Sequence, residues 1–125
     1  MQALYRPLLW LSRLAFVAVA LAGTVNAVLP GRSAQHVLPW DKAEHFVCFY
    51  ALAAIGAFAF PRMRAVWLAA GLIALGGAIE VVQGLPMVAR DSDWKDWAAD
   101  TIAVGCALGP LLIAGWRQRW RAASS

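Results

Sequence analysis

Polar residues recur at helical spacing in three short stretches of this strongly apolar chain. Asp93, Asp96 and Asp100 follow one another at intervals of three and four residues, and Glu80 precedes Gln83 by three. Side chains at these intervals lie on one face of an α-helix. Carboxylates and an amide grouped in this way can bind a polar ligand, hold a divalent metal or take part in acid–base catalysis.

The third stretch adds nitrogen groups to these oxygens. Asp41 and His45 are four residues apart, and Lys42 lies between them. Arg90 lies in the short segment between the other two stretches, where its guanidinium could hold carboxylates together or bind a phosphate. We therefore treat the following residues as candidates for one ligand-binding site: Asp41, Lys42, His45, Glu80, Gln83, Arg90, Asp93, Asp96 and Asp100.

Helix capping is a competing interpretation for some acidic residues. Asp41 with Glu44 fits a capping pattern before an apolar run, and Asp91 or Ser92 could cap the last helix. Capping does not account for Glu80, which lies near the C-terminal end of its apolar run, where the helix dipole disfavours a carboxylate. The acidic residues therefore do not share a single explanation.

Neither a metal site nor a disulfide is predicted. Cys48 and Cys106 lie within apolar runs, which is typical of free thiols that pack as small hydrophobic side chains. No cofactor is expected, catalytic residues cannot be assigned, and whether the chain is an enzyme stays open. Four residues have side chains that could ligate a metal: His45, Glu80, Asp96 and Asp100. We do not predict a metal site from them.

Four apolar runs surround the polar stretches and predict membrane-spanning helices. Hydrophobic residues make up 62% of the 125 residues, which is far more than in an ordinary soluble domain. A helix of about 20 residues matches the roughly 30 Å hydrocarbon core of a bilayer. We therefore expect an all-α membrane protein, a single-domain antiparallel bundle of four transmembrane helices at about 8–29, 41–60, 65–85 and 93–116.

Glycines predict where these helices approach one another closely. Gly105 and Gly109 form a GxxxG pair in the fourth run, and the third run contains Gly71, Gly76 and Gly77. Small residues at such spacing let helix backbones come together in a membrane. We expect close packing at both places.

Charge predicts the orientation of the bundle. One end has seven basic residues and no acidic one, whereas the other has four basic residues and all seven acidic ones. Because basic residues are retained in the cytoplasm, we expect both termini and the loop between the second and third helices there. The basic residues at the cytoplasmic end can then interact with anionic membrane lipids. This interaction accounts for the net charge of +4, so nucleic acid is not an expected partner. A cleaved secretory signal is an alternative for the first run.

Together, the polar stretches resemble the signature of the VanZ-like family of small bacterial membrane proteins. The resemblance covers the chain after the first apolar run, and it implies a multi-pass protein of the bacterial cytoplasmic membrane with a role in the cell envelope. It also implies a link to resistance against the glycopeptide teicoplanin, but no particular reaction. Asp100 departs from the pattern, since many relatives have asparagine there, and Ala103 stands where a glycine often follows. The matching residues are Asp41-Lys42-Ala43-Glu44-His45-Phe46 with Tyr50, Glu80 with Gln83, and Arg90 with Asp93, Asp96 and Asp100.

Several kinds of function remain open. The site could bind the anionic phosphate or the sugar headgroup of an envelope lipid or lipid-linked precursor. It could instead hydrolyse or transfer such a headgroup, with a metal or with His45 and a carboxylate as base and acid. A third alternative is a network of ion pairs that only locks the helices, in a partner of other envelope proteins. A proton-coupled transporter is a further alternative, and the sequence indicates no oligomeric state.

Overall fold

A computed structural model describes residues 2–29, 41–88 and 92–124, and within these ranges the chain forms four α-helices and no β-strand. The helices are α1 (Gln2–Val28), α2 (Asp41–Ala59), α3 (Ala65–Gln83) and α4 (Trp94–Ala123). Each helix is long and apolar enough to cross a membrane. The chain is therefore an all-α membrane protein, an antiparallel bundle of four helices, which confirms the predicted fold class.

Two helices are longer than predicted. α1 begins at Gln2 rather than at residue 8, with Pro7 inside it. A proline removes one backbone hydrogen bond, and membrane helices accommodate such a residue through local adjustments, so the helix continues through it. α4 ends at Ala123 rather than at residue 116. Its last turns contain alanine, arginine and glutamine, which favour helix formation although they are not apolar as a group.

α2 is the central helix of the bundle. It packs mainly against α4 and α1, and α1 contacts α2 and α3 but not α4 within the described residues. Most of the outward surface of α1 is apolar and exposed, as expected for a helix that faces lipid. The core between α2, α3 and α4 is formed by Phe49, Leu52, Ala53, Leu68, Ala69, Leu72, Ile79, Ala103, Val104 and Leu108.

Arg13 attaches α1 to the end of α2. Its Nε donates a hydrogen bond to the carbonyl of Ala59 at 3.1 Å, and its guanidinium lies over the rings of Trp10 and Phe60. A cation is favourable beside the last carbonyls of a helix, which carry partial negative charge. Arg13 therefore has a structural partner although the sequence places no carboxylate at this end.

The closest approach of α3 and α4 occurs at Gly76. A Cβ built there would lie 2.8 Å from Asp100 Oδ2 and 3.3 Å from Trp97 Cδ1. Trp97 Nε1 also donates to the carbonyl of Ile73 at 2.9 Å, which fixes the indole against α3. In lipid, such an interhelical bond and close van der Waals packing hold helices together.

The GxxxG pair of α4 does not form the expected close contact. A Cβ at Gly105 or Gly109 would meet no atom within 4 Å in the described part of the chain. These positions face away from α2 and α3, because α4 uses Asp100, Ala103, Val104 and other residues of its opposite face for packing. The prediction of close packing was wrong there and at Gly71, where a Cβ would also meet nothing within 4 Å, and it holds at Gly76 of α3.

Gly76→Ala should therefore destabilise the protein, by about 1–3 kcal/mol, because the new methyl group overlaps Asp100 and pushes α3 away from α4. Gly71→Ala on the same helix is the matched control, since a Cβ there meets nothing within 4 Å. It should be neutral or slightly stabilising, because alanine is the better helix former. The free energy of unfolding in detergent measures both. Equal effects of the two substitutions would contradict the close approach at Gly76.

Candidate functional site

Lys42 of α2 joins two carboxylates at the start of α4. Its Nζ donates to Asp93 Oδ2 at 2.9 Å and to Asp96 Oδ1 at 3.0 Å. The Asp96 side chain is only 5% exposed, whereas those of Lys42 and Asp93 are partly exposed. The ammonium group thus compensates a buried carboxylate and is already occupied by two acceptors of the protein.

Asp93 is also the N-cap of α4. Its Oδ1 accepts a hydrogen bond from the backbone N–H of Lys95 at 3.0 Å. This bond, together with that from Lys42, lowers the pKa of the Asp93 carboxyl below its ordinary value of 3.8. Asp93, and not Ser92, therefore caps α4, while Asp91 lies outside the described residues.

His45 and Asp100 form the second pair between α2 and α4. His45 lies one turn after Lys42, and its Nδ1 is 3.2 Å from Asp100 Oδ1. The Asp100 side chain is 1% exposed, and its Oδ2 has no hydrogen-bond partner among the described residues. The absence of a side chain at Gly76 provides the space that this carboxylate occupies.

Glu80 of α3 is buried and bonded to the segment that precedes α4. Ser92 Oγ is 3.0 Å from Glu80 Oε2 and 3.1 Å from the Glu80 carbonyl oxygen, and its hydroxyl can donate to either. Glu80 Oε1 has no partner in the described part of the chain. Glu80 lies one turn beyond Gly76, so it faces α4 on the same side as the Asp100 contact.

Gln83 connects α3 to the end of α1. Its Nε2 donates to the carbonyl of Ala27 at 3.1 Å, while its Oε1 is buried without a partner among the described residues. Gln83 also lines a cavity of about 130 Å³ between α1, α2 and α3. The remaining walls include Ala20, Gly23, Thr24, Asn26, Ala27, Glu44, His45, Cys48, Phe49, Leu52, Leu75 and Ile79.

The described residues of the predicted site form two neighbouring groups. Lys42 with two aspartates, and His45 with Asp100, lie between α2 and α4, whereas Glu80 and Gln83 extend from α3 towards α4 and α1. The side chain of Asp41 and the whole of Arg90 lie outside the described residues. Among the described residues no group of three His, Cys, Asp or Glu side chains could hold a metal ion, so the four possible ligands do not form a metal centre there.

We refer to the described site residues together as the acidic cluster: Lys42, His45, Glu80, Gln83, Asp93, Asp96 and Asp100. Two residues that contribute to this cluster were not among the predicted site residues. Ser92 was considered only as a helix cap, but its hydroxyl reaches back to Glu80. Gly76 was considered only as a packing residue, but it determines how closely Asp100 can approach α3. A serine in a loop has no periodic signal, and the role of a glycine depends on which neighbouring helix it faces.

The unsatisfied atoms of the cluster share one chemical property. Glu80 Oε1, Gln83 Oε1 and Asp100 Oδ2 are all hydrogen-bond acceptors. Buried acceptors are paired in most native structures, because an unpaired one loses its hydration without compensation. The arrangement is therefore suited to a group that donates hydrogen bonds.

Both cysteines are free thiols, as predicted. Cys48 is partly buried in α2 and lines the cavity, and Cys106 is exposed on α4. Neither is part of a group that could hold a metal among the described residues.

Comparison with known proteins identifies no relative. No protein-family model matches the chain, and neither does any curated protein or solved structure.

Proposed function

We propose that this chain is a VanZ-like membrane protein of the bacterial cell envelope, whose acidic end binds the headgroup of an envelope lipid or lipid-linked precursor. We propose further that this end faces outwards from the cytoplasmic membrane and that both termini are cytoplasmic. The headgroup would present hydroxyl or ammonium donors to the cluster. A role in teicoplanin resistance is part of the same proposal and follows only from the resemblance to the family.

The observation that supports binding is the position of Gln83. Its amide nitrogen is held by Ala27, and its Oε1 remains as a buried acceptor on a residue that lines the cavity. The cavity is large enough for several water-sized groups, and its walls combine apolar side chains with the polar residues Thr24, Asn26, Glu44, His45 and Gln83. Ligand sites commonly have this composition, with a few polar groups that orient the ligand.

The charges favour a donor over a bare phosphate at this place. Lys42 is bonded to two carboxylates, and Glu80 and Asp100 would repel anionic oxygens that came close to them. A phosphate would need another basic residue, such as Lys95 in the first turn of α4; Arg90 lies outside the described residues. We therefore assign the donor part of a headgroup to the cavity, and any phosphate to the start of α4.

A second candidate function is structural, and the same contacts favour it. Lys42, His45 and Gln83 each connect two helices, so the cluster contributes to holding the bundle together. Polar interhelical bonds of this kind contribute on the order of 0.6 kcal/mol each in membrane proteins. The two functions differ in one respect, since only a binding site discriminates between lipids.

Two phospholipids with equal net charge test the proposal. Phosphatidylethanolamine has N–H donors, whereas phosphatidylcholine has none. The purified protein should retain dioleoyl phosphatidylethanolamine about five- to ten-fold more tightly than its choline counterpart, which corresponds to one hydrogen bond of about 1–1.5 kcal/mol. Native mass spectrometry with defined lipid additions measures the ratio, and Gln83→Leu should abolish it.

Two further variants separate binding from folding. Ala20→Leu fills the cavity from α1 without removing a hydrogen bond and should also abolish the preference. Gln2→Leu makes the same exchange as Gln83→Leu at the start of α1, at the opposite end of the bundle, and should leave the preference unchanged. Equal retention of both lipids by the parent protein, or a preference that survives Ala20→Leu, would leave the structural function as the better account.

A further inference from the structure

A second groove lies at the basic end of the bundle, remote from the acidic cluster. It has a volume of about 540 Å³ and is formed by the start of α3 and the last turns of α4. Arg64 and Ala65 line it from α3, and Leu111, Gly115 and Arg119 line it from α4. None of these residues belongs to the polar site described above.

The groove has positive charge without a compensating carboxylate. Aspartate and glutamate are absent from residues 1–40, 45–79 and 101–125. The four helix ends that meet here therefore have no acidic side chain. Arg13, at the same end, is bonded to a backbone carbonyl, but Arg64 and Arg119 have no such partner among the described residues. Two guanidinium groups are thus available for an anion.

The start of α3 adds to this field. Arg64 is the N-cap residue of α3, but its side chain makes no capping hydrogen bond. The first backbone N–H groups of a helix have no acceptor within the helix and carry partial positive charge. Those of Ala65 and Val66 belong to residues that line the groove. An anionic oxygen between Arg64 and Arg119 would therefore meet donors from both helices.

The length of α4 indicates where the groove lies relative to the membrane. α4 has 30 residues, or about 45 Å, compared with roughly 30 Å for a hydrocarbon core. Because its last turns contain Arg117, Arg119 and Arg121, we expect these turns to extend into the headgroup layer. Trp116, which lines the groove and is exposed, is of the residue type enriched at the membrane–water interface. Leu111 and Val66 are exposed apolar walls that an acyl chain can contact.

We infer that this groove is a binding site for one anionic phospholipid, whose phosphate lies between Arg64 and Arg119 and whose acyl chain follows the α3/α4 surface. The charge complementarity and the apolar walls require both parts of a lipid, so a free phosphate ion satisfies only half of the site. The site does not depend on the function proposed for the acidic end, because the two share no residue.

The test compares dioleoyl phosphatidylglycerol, which is anionic, with dioleoyl phosphatidylcholine, which has the same acyl chains and no net charge. Native mass spectrometry of the full chain should show preferential retention of the anionic lipid. Arg64→Gln and Arg119→Gln should each weaken that retention about five-fold, as expected for one basic group near an anionic lipid. Gly115→Leu should reduce it to the level of phosphatidylcholine, because the leucine side chain occupies the groove.

Matched controls exist for both kinds of variant. A Cβ at Gly115 or at Gly105 meets no atom within 4 Å, so neither Gly115→Leu nor Gly105→Leu is expected to disturb the fold, and only the first lies in the groove. Arg117→Gln removes the same charge from the same end but not from the groove wall. Retention unaffected by Gly115→Leu, or weakened by Arg117→Gln as much as by Arg119→Gln, overturns the inference. If Gly115→Leu lowers the thermal midpoint of unfolding, the comparison of Arg119→Gln with Arg117→Gln decides whether the groove binds the anionic lipid.

Discussion

His45→Leu should destabilise the protein by about 3 kcal/mol, which is the upper end of the usual cost when a buried acceptor loses its hydrogen-bond partner. His45 Nδ1 lies 3.2 Å from Asp100 Oδ1, and Asp100 Oδ2 has no hydrogen-bond partner among the described residues. The substitution would therefore leave both oxygens of a carboxylate that is 1% exposed without a donor. Unfolding by sodium dodecyl sulfate in mixed micelles measures the loss.

A second substitution shows whether the charge of Asp100 causes this loss. His45→Leu combined with Asp100→Asn should recover most of the stability, because asparagine has nearly the same shape and no charge to compensate. His45→Gln should cost less than His45→Leu, since the amide retains an N–H donor. Equal losses in the single and double variants would mean that packing of the imidazole, and not its bond to Asp100, is what stabilises the bundle.

The pair also explains why Asp100 is tolerated deep in the bundle. Its position two turns into α4 is too far from the helix start for capping, and a carboxylate at that depth is costly unless a partner is present. α2 supplies that partner, and Gly76 supplies the space beside it. Replacement of Gly76 should therefore disturb the same carboxylate that loses its donor in His45→Leu, and the two substitutions should not be additive.

The sequence predicted the existence and order of the helices well, because long apolar runs have few alternative structures. It predicted their ends less well. α4 continues to Ala123 since helix propensity persists after hydrophobicity falls, and α1 starts before Pro7 since a membrane helix can accommodate one proline. Hydropathy indicates where a helix crosses the membrane, and not where its hydrogen bonding stops.

The candidate site was predictable as a set of residues but not as a set of bonds. Helical spacing placed Asp41 and His45 on one face of α2, with Lys42 between them in the sequence, and the aspartates on one face of α4. It could not show that Lys42 contacts Asp93 and Asp96 while His45 contacts Asp100. That pairing depends on the rotation and depth of each helix, which long-range packing determines.

The unsatisfied acceptors could not have been predicted from residue types either. Glutamate, glutamine and aspartate at helical spacing are compatible with complete pairing among themselves and with nearby basic residues. Only the three-dimensional arrangement shows that Lys42 donates hydrogen bonds to two carboxylates and that the amide nitrogen of Gln83 donates to α1. The donor character proposed for the ligand follows from these contacts and not from the net charge of the site.

Cysteine labelling should give an all-or-none result for the proposed orientation. The two ends of the bundle differ strongly in charge, with seven basic and no acidic residues at one and a net charge of −3 at the other. Met63 lies in the loop between α2 and α3, at the basic end, and Met87 lies after α3, at the acidic end. In intact cells, a membrane-impermeant maleimide should label Met87→Cys and spare Met63→Cys.

The two positions are suited to this comparison because both side chains are accessible, with Met87 86% and Met63 47% exposed. Cys48 and Cys106 would first be replaced by alanine, since both are free thiols. Permeabilised cells provide the control, in which both introduced cysteines should react. Labelling of Met63→Cys in intact cells, with Met87→Cys protected, would reverse the orientation and place the acidic cluster at the cytoplasmic face. The headgroup proposed for that cluster would then have to come from the inner leaflet, and an envelope precursor exposed outside the membrane would no longer be able to reach it.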